Sequence, residues 1–492
     1  MGTSFFVFIL IEQQRTPIHS RCRSLQGNPW VPRAVERRNA SLPPCARRGR
    51  GTYSVRRVDA MKRAVHDLLA RAAAAHPETA FTIDLWDGSH HTFGEGEPAF
   101  GLRFTTRRAL GRTLASGFLG FGEGYMAGEI EVSGSWDRLF ALALSADLGR
   151  VRMPGWWLLR YALRRLGDRN SRRSARRNIR HHYDLGNDFY RLWLDESLTY
   201  SSAYFRTPDT GLETAQRDKL ELICRKLGLQ PGQTLLDVGC GWGSLVLHAA
   251  RHHGVRALGC TLSQRQAELA RERVRQAGLE DRVEIRVADY RELSGRFDRW
   301  VSVGMAEHVG KAYLPQFFDH VTERLRPGGL GLLHLIGKDR PGFGDPWTLT
   351  YIFPGGYLPS LDQLSRLMGR RDLRTVDVEN LRPHYALTLD RWRERFEAHV
   401  DEIERMYDAR FVRMWRLFLL SSAASFRYGN TRVFQILFTN GPSNEVPLTR
   451  EGWYRTAPPS DRPQTRSRPR VPGRERPVAA RQAGASHLAQ AH

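Results

Sequence analysis

The sequence predicts an α/β protein in which a doubly wound, mostly parallel sheet follows a small α+β unit. From Leu235 onward, apolar runs of strand length alternate with amphipathic helices, which is the pattern of a parallel sheet buried on both faces. Before that point, residues 61–159 combine short alternating strands with helices, as α+β units do. The 492 residues provide room for two or three domains of about 150 residues each.

The α+β unit is predicted to begin at Met61 with the amphipathic helix MKRAVHDLLARAAAA. Three strands follow in the stretches FTIDLWDG, HHTFGEG and GLRFTT, and then the helix RRALGRTLASG. We interpret FGEGYMAGEIEVSG, residues 121–134, as a Gly-rich turn before the closing helix SWDRLFALALSA. The unit is long enough to bury a core of its own.

The doubly wound part, residues 181–455, contains five predicted strands of the parallel type. They are LLDVG, VRALGCT, VEIRVADY, WVSVGM and LGLLHLIG, separated by helices such as SLVLHAARHH and YLPQFFDHVTERL. The motif RPGG is predicted to be a turn before the last of these strands. In such sheets ligands bind at the carboxyl ends of the strands, so we expect the functional residues there.

The net charge of +23 is concentrated in three segments outside these units. Residues 1–60, 160–180 and 456–492 carry +8, +8 and +5, so the rest of the chain is close to neutral. We expect the first and the last segment to be disordered, with Met61 as an alternative start. The linker at 160–180 is a solvated hinge, a patch for anionic lipid or, since it lacks interleaved aromatic residues, least of all a patch for nucleic acid.

The five cysteines contain no CxxC pair and no framework spacing, which indicates neither a structural zinc site nor a disulfide scaffold. We therefore expect no metal site and a reducing, cytoplasmic location. The stretch FFVFILI near the N-terminus is too short to span a bilayer, and the sequence has no other long apolar run. The chain is thus not expected to be an integral membrane protein.

A Gly-rich loop follows the first parallel strand, with the sequence Asp237-Val-Gly239-Cys-Gly241-Trp-Gly243. Glycines at such a place let the backbone turn tightly and approach a ligand at the start of the next helix. The GxGxxG dinucleotide fingerprint does not fit, because the third glycine comes one residue early and the second strand ends in CTL rather than in an acid. The pattern DxGxGxG instead resembles the S-adenosylmethionine loop of class I methyltransferases.

Polar side chains near the ends of later strands have two interpretations each when taken singly. Asp289 and Tyr290 can hold an adenine ring or cap a strand end. Glu307 can act on a substrate beside a cofactor or stabilise a helix N-terminus. His334 and Tyr385 also have ordinary roles, as a core histidine and a half-buried aromatic residue. No single one of them assigns a function.

The chain resembles cyclopropane-fatty-acyl-phospholipid synthases and the related mycolic acid cyclopropane synthases in eight blocks. The blocks occur in this order: HHYDLGNDFYRLWLDESLTYSSAYF, LLDVGCGWGSL, GCTLSQRQ, ADYREL, VSVGMAEHVG, LLHLIG, YIFPGGYLPS and PHYALTLDRWRERF. The resemblance extends from about Glu78 to Asn440. Residues 77–144 also resemble the small lipid-binding N-terminal domain of the phospholipid enzymes.

This resemblance implies a Rossmann-like class I methyltransferase domain that binds S-adenosylmethionine and a bicarbonate ion. The residues it assigns to the cofactor are Tyr183, Tyr200, Ser201, Gly239, Gly241, Leu262, Gln266, Asp289 and Tyr290. The residues it assigns to bicarbonate and to catalysis are Ser202, Glu307, His334, Ile336 and Tyr385.

The chemistry of the family explains these residue types. Methyl transfer to an isolated cis alkene produces a carbocation, and a base must then take a proton from the new methyl group so that the ring closes. The pocket must exclude water while it presents aromatic faces and a fixed negative charge. A buried anion needs hydrogen-bond donors for its oxygens, and Glu307 is suited to accept its hydroxyl group.

Two positions depart from the family pattern and leave other outcomes open. Ser202 replaces a cysteine, and Ala306 replaces a bulky phenylalanine, which predicts a local gap or a wider acyl pocket. One alternative is a methyl- or methylene-branched acyl product. Another is a small amine substrate, since plant alkaloid N-methyltransferases share several of the motifs. A nucleic-acid-binding protein is supported by the charge alone.

We therefore expect an enzyme that forms cyclopropane rings in the unsaturated acyl chains of membrane phospholipids. The expected partners are these phospholipids, with the protein associated peripherally with the inner face of the cell membrane. A homodimer is a further expectation, and no nucleic-acid partner is expected.

Overall fold

The structure, a computed structural model, describes residues 66–67, 69–145, 185–342 and 344–454. The predictions for residues 1–60, 160–180 and 456–492 lie outside this part of the chain. The predicted boundaries of the two domains, 61–159 and 181–455, also end outside it and stay a prediction. Among the described helices, none is both long and apolar enough to cross a membrane.

A four-stranded sheet forms the centre of the N-terminal unit, in the order β2-β1-β3-β4. Strand β1 pairs antiparallel with β2 and parallel with β3, and β3 pairs antiparallel with β4. Phe81 of β1 stacks on a phenylalanine from each neighbouring strand, with ring centroids 5.1 Å and 5.0 Å away. The elements of this unit are β1 (Phe81–Leu85), β2 (His90–Phe93), β3 (Phe100–Phe104), α1 (Arg107–Ser116), α2 (Phe118–Met126), β4 (Ile130–Gly134) and α3 (Trp136–Ser145).

The prediction of a Gly-rich turn at residues 121–134 is wrong, because α2 and β4 occupy most of this stretch. The glycines serve close packing within a helix instead. A Cβ atom at Gly120 would lie 2.1 Å from the Arg112 carbonyl oxygen, and one at Gly122 would lie 2.4 Å from the Trp347 ring. Glycine therefore allows α2 to approach its neighbours at distances that a larger residue would prevent.

The second sheet has seven strands in the order β10-β11-β9-β8-β5-β6-β7. All pairs from β7 to β9 are parallel, whereas β11 runs antiparallel to β9 and β10. Its strands are β5 (Thr234–Val238), β6 (Arg256–Thr261), β7 (Val283–Val287), β8 (Phe297–Val303), β9 (Leu325–Lys338), β10 (Leu373–Asn380) and β11 (Thr431–Asn440). The predicted α/β class with a doubly wound, mostly parallel sheet is confirmed.

Helices cover both faces of this sheet, and the strands bury both of their faces. Adjacent residues such as Leu235 and Leu236, or Leu332 and Leu333, belong to separate hydrophobic clusters because side chains alternate across a strand. The helices are α4 (Asn187–Arg191), α5 (Leu212–Lys226), α6 (Ser244–His253), α7 (Gln264–Gln276), α8 (Leu314–Arg324), α9 (Pro346–Tyr351), α10 (Leu361–Gly369), α11 (Arg382–Ala398), α12 (Val400–Met406), α13 (Ala409–Tyr428) and α14 (Glu451–Tyr454).

The RPGG motif is not a separate turn, since β9 already begins at Leu325 and runs through it. Leu325 pairs with Phe297, but the next pair is Leu330 with Arg299, so the register shifts within the motif. Gly328 adopts a φ of 75° there, which is a left-handed conformation that favours glycine. The motif is a bulge within the strand rather than its boundary.

The N-terminal unit and the C-terminal helices share one hydrophobic core, in contrast to the expectation of a separate core. A single cluster of buried residues extends from β1 and α2 to α11 and α13. Trp347 of α9 lies at the junction: it is fully buried, packs edge-on against Phe118 and donates through Nε1 to the Met126 sulfur at 3.3 Å. The position of the N-terminal unit is therefore fixed by packing.

We predict that Gly122→Ala destabilises the full-length protein by about 1–3 kcal/mol, because the added methyl group collides with the Trp347 ring. Gly111→Ala is the matched control in α1, where no atom lies within 4 Å of the added group. This control should be neutral or stabilising by up to about 1 kcal/mol. Urea unfolding of both variants measures the difference, and equal midpoints would contradict the packing described here.

Candidate active site

A cavity of about 150 Å³ lies at the carboxyl ends of β5, β6 and β8. Eight of the nine residues assigned to the cofactor line it, and the ninth, Tyr183, lies outside the described residues. The eight are Tyr200, Ser201, Gly239, Gly241, Leu262, Gln266, Asp289 and Tyr290. The strand-end rule therefore located the cavity correctly.

The Gly-rich loop forms the floor of this first cavity. Gly239 has a φ of 90° and follows β5 directly, and a Cβ atom there would lie 2.7 Å from the Met305 Cβ atom. Gly241 also has a positive φ, and no atom lies within 4 Å of the place where its Cβ would be. The loop thus leaves open space above its backbone and brings the N-terminus of α6 to the cavity, as a ligand-binding loop requires.

Two buried charged residues, Lys219 and Asp237, line the same cavity. The Lys219 ammonium group donates to Ser201 Oγ at 3.0 Å, and burial lowers its pKa to about 8 although Asp195 and Asp237 act in the opposite direction. Burial raises the pKa of Asp237 to about 7, and the attraction of Lys219 partly offsets this effect. Asp237 Oδ1 has no hydrogen-bond partner among the described residues. A free acceptor beside a cation fits the ammonium and carboxylate groups of an amino-acid ligand.

The sequence did not single out Lys219, although a weak signal was present. Lys219 follows Gln216 by three residues and precedes Leu220 and Ile223 on the buried face of α5. Charged side chains are rarely found fully buried unless they are paired. A lysine in the apolar stripe of an amphipathic helix is therefore the feature that marks this position.

Asp289 lines the cavity and also caps the short helix that follows β7, so both interpretations of this residue describe its placement. Its carboxylate accepts two hydrogen bonds from the Arg291 guanidinium, at 2.8 Å and 2.6 Å. Burial raises the pKa of the neighbouring Tyr290 to about 12. Gln266 lies in the first turn of α7, where its Oε1 accepts from Thr261 Oγ1 at 2.8 Å.

A second cavity of about 220 Å³ adjoins the first. The two share Tyr200, Ser201, Gly304 and His308 in their walls. All five residues assigned to bicarbonate and catalysis line the second cavity, namely Ser202, Glu307, His334, Ile336 and Tyr385. Residues that are far apart in the sequence thus meet in one place.

Glu307 is a buried acid with one oxygen in use and one free. Its Oε1 accepts a hydrogen bond from the Ile336 backbone N–H at 2.7 Å, whereas Oε2 has no partner among the described residues. Burial raises the pKa of Glu307 to about 7. An unpartnered buried oxygen in the wall of a cavity fits a ligand that donates a hydrogen bond.

The buried His334 is held as a neutral hydrogen-bond donor by two residues that the sequence did not indicate. Lys226 donates to Gln435 Oε1 at 2.8 Å, which orients the amide so that its Nε2 donates to His334 Nδ1 at 3.1 Å. The proton of His334 therefore resides on Nε2. Burial and the positive charges of Lys219 and Lys226 lower its pKa well below the usual range, so the ring stays neutral.

Ser202, Tyr385 and Ala306 differ in how they relate to the cavity. Ser202 is fully buried, and its hydroxyl donates to the Ala203 carbonyl at 3.1 Å in this structure. The Tyr385 ring packs against Phe426 with centroids 4.7 Å apart. Ala306 lines neither cavity but packs in a hydrophobic cluster on the sheet, so the expectation of a wider acyl pocket at this position is wrong.

The remaining wall of the second cavity is largely apolar, and both units contribute to it. The N-terminal unit supplies side chains from α2 and α3, and the C-terminal part supplies others from α9, α13 and the segment after α9. These residues are Phe118, Phe140, Leu144, Leu349, Phe353 and Phe418. The cavity therefore offers a greasy surface next to a few buried polar groups.

The seven-stranded sheet, the Gly-rich loop and the cavity at its strand ends define the chain as a class I S-adenosylmethionine-dependent methyltransferase. A family profile described as "Mycolic acid cyclopropane synthetase" matches residues 170–436, more than half of the chain, and a domain of unknown function matches residues 68–148. The protein belongs to the mycolic acid cyclopropane synthetase family.

Two relatives and one solved structure illustrate this membership. The cyclopropane-fatty-acyl-phospholipid synthase of Escherichia coli (strain K12) is 40% identical over 342 residues, 69% of this chain and 87% of that protein. A probable fatty acid methyltransferase of Pseudomonas putida is 37% identical over 388 residues, 76% of this chain and 96% of that protein. The mycolic acid cyclopropane synthase CmaA1, solved with SAH and CTAB, is 34% identical with a TM-score of 0.51, covering 54% of this chain and 98% of that one.

We predict that Lys219→Met weakens the binding of S-adenosylhomocysteine roughly tenfold to a hundredfold, because a charged hydrogen-bond donor is lost from the first cavity. Isothermal titration calorimetry measures the change, and the exposed Lys311→Met is the control that should bind like the parent. Unchanged affinity in a folded Lys219→Met protein would contradict this role.

Proposed function

We propose that the protein transfers a methylene group from S-adenosylmethionine to the cis double bond of unsaturated acyl chains in membrane phospholipids and so forms cyclopropane rings. The observation that carries this proposal is the second cavity, in which an apolar wall meets the free oxygen of Glu307 directly beside the cofactor cavity. The phospholipid substrate is supported by the E. coli relative, whose name states that activity.

The composition of the second cavity supports an acyl chain rather than a small amine. Phe118, Phe140 and Leu349 offer apolar surface, and burial of apolar groups contributes roughly 25 cal/mol per Å². An ammonium substrate would need an anionic or aromatic cage that excludes long chains. The cavity is instead bounded by side chains from both units, which suits an elongated apolar ligand.

The polar end of the same cavity supports a small bound anion. Glu307 Oε2 is suited to accept the hydroxyl of bicarbonate, and the Nε2–H of His334 is suited to donate to another of its oxygens. Ser202 and Tyr385 bring two further hydroxyl groups to the wall, and the Ser202 hydroxyl can rotate to a new acceptor. The residues present therefore fit the anion that the family resemblance implied.

The chain's own residues prepare the site in three ways. When bound, S-adenosylmethionine supplies an electrophilic methyl group and bicarbonate supplies a basic oxygen. Tyr200, Tyr385 and Phe426 direct aromatic rings into the second cavity, and such rings stabilise positive charge in an acyl chain. His334 keeps its proton on Nε2, which orients an anion without surrendering that proton, and the apolar wall excludes water.

Docking on anionic membrane surfaces is part of the proposal. The Arg-rich residues 160–180 carry a charge of +8 between the two regions that build the second cavity. Each Lys or Arg near such a surface contributes on the order of 1 kcal/mol to binding. We propose a peripheral association at the cytoplasmic face, where the acyl chains are accessible.

A second candidate function is the formation of a methyl- or methylene-branched chain at the same site. It is supported by Ser202, which replaces the cysteine of the family pattern, and by the 37% identity to a probable fatty acid methyltransferase. Both candidates begin with transfer to the double bond. They differ in which proton leaves afterwards.

The experiment that tests the proposal incubates the full-length protein with S-adenosylmethionine and vesicles of unsaturated phospholipid. Mass spectrometry should show acyl chains that gain one CH2 and resist catalytic hydrogenation, with faster turnover on anionic vesicles. Vesicles of saturated phospholipid are the control and should gain nothing. A gain that hydrogenation still reduces would support the branched product, and no gain at all would overturn both candidates.

We predict that Glu307→Gln lowers kcat on the order of a hundredfold while the binding of S-adenosylhomocysteine is unchanged. The amide no longer provides the charged acceptor at Oε2. Because burial raises the pKa of Glu307 to about 7, the parent enzyme should lose activity as the pH falls below about 7. Exposed Glu404→Gln is the control and should retain parental turnover and pH dependence. Parental kcat in Glu307→Gln would contradict the assignment.

A further inference from the structure

A cluster of side chains away from both cavities has the composition of a metal site. The donor atoms of Cys224 in α5 and of His248 and His253 in α6 all lie within 4.8 Å of one another. Glu221, one turn before Cys224, places its Oε2 3.0 Å from the Nε2 atoms of both histidines. A thiol, two imidazoles and a carboxylate thus meet between two helices.

These distances are compatible with tetrahedral coordination after a small adjustment. Zinc binds nitrogen and oxygen ligands at about 2.0–2.1 Å, so neighbouring ligand atoms in a tetrahedron are about 3.3 Å apart. The 3.0 Å between each histidine Nε2 and Glu221 Oε2 is close to this value. The Cys224 sulfur needs the larger shift, which rotation about its Cα–Cβ bond can contribute.

The surroundings support a ligand set that is held in place and open on one side. Arg225 donates to Glu221 Oε1 at 2.7 Å and fixes the carboxylate, as outer partners of metal ligands do. Cys224 is fully buried, whereas the side chains of His248 and His253 are 8% and 18% exposed. An ion can therefore enter from the histidine side.

We propose that Cys224, His248, His253 and Glu221 bind one Zn²⁺ ion. Cys224 loses its proton to solvent and binds as a thiolate. Each histidine binds through Nε2 in the neutral tautomer that carries its proton on Nδ1, and the hydrogen bonds to Glu221 are exchanged for metal bonds. The thiolate and the carboxylate then balance the two positive charges of the ion.

The bound ion joins the two helices that shape the cofactor cavity. Helix α5 carries Lys219, and α6 begins directly after the Gly-rich loop, about 15 Å from the cluster along a helix of ten residues. A metal bond between them holds the loop and Lys219 in register. This function is structural and does not depend on the proposed acyl chemistry.

The CxxC rule that predicted no zinc site does not apply to this arrangement. The ligands come from two helices with the spacings ExxC and HxxxxH, and 23 residues lie between Cys224 and His248. Such spacing is not typical of a zinc finger or ribbon. The contact between α5 and α6 in the folded chain is what brings the four side chains together.

The test uses the full-length chain, produced without a histidine tag and stripped of metal by a chelator. Titration with Zn²⁺ should show one bound ion per chain by native mass spectrometry and an increase in Tm of at least about 2 °C. Titration with Co²⁺ should produce the visible bands of tetrahedral cobalt and a thiolate-to-cobalt charge-transfer band.

Matched variants assign the ligands. Cys224→Ser should abolish the charge-transfer band, and His253→Asn should weaken Zn²⁺ binding at least about tenfold. His252→Asn, on the same helix but outside the donor cluster, should bind like the parent. If Cys224→Ser does not fold, Glu221→Gln and His253→Asn provide the same comparison by affinity. No bound Zn²⁺ in the parent, or parental binding in both folded ligand variants, would overturn the proposal.

Discussion

The burial of Glu307 is the constraint on which the rest of the site depends. A carboxylate without water is costly unless its oxygens find donors, and here the Ile336 backbone N–H satisfies only one of them. The sheet places that N–H at the end of β9, two residues after His334, because β9 pairs with β8 and β11 in a fixed register. The second oxygen faces the cavity and determines what the cavity can bind.

The same constraint explains the chain of polar groups behind His334. Lys226 and Gln435 are buried in the sheet and its covering helix, where their hydrogen bonds leave a single tautomer for the histidine. Glu379 pairs with Lys226 and balances its charge. The cavity thus presents one acceptor and one donor side by side, both fixed by groups that never touch a ligand. The N-terminal unit closes the apolar end through packing that is centred on Trp347.

Much of this architecture was predictable from the sequence, and the failures have physical causes. The alternating apolar runs predicted the parallel sheet, and the DxGxGxG loop predicted the first cavity. The glycines of residues 121–134 were interpreted as a turn because sequence patterns do not distinguish a glycine that bends the chain from one that admits a neighbour such as Trp347. Lys219, Lys226 and Gln435 were missed because their partners lie 18 to 209 residues away in sequence. Only the fold brings them together.

The central claim is that a base held beside Glu307 and His334 removes a proton from the transferred methyl group. The most direct measurement uses S-adenosylmethionine with a fully deuterated methyl group and unsaturated phospholipid vesicles, followed by mass spectrometry of the acyl chains. The account predicts a product that retains two of the three deuterium atoms, because the third leaves when the ring closes. A product that retains all three would contradict it, since the departing proton would then come from the acyl chain.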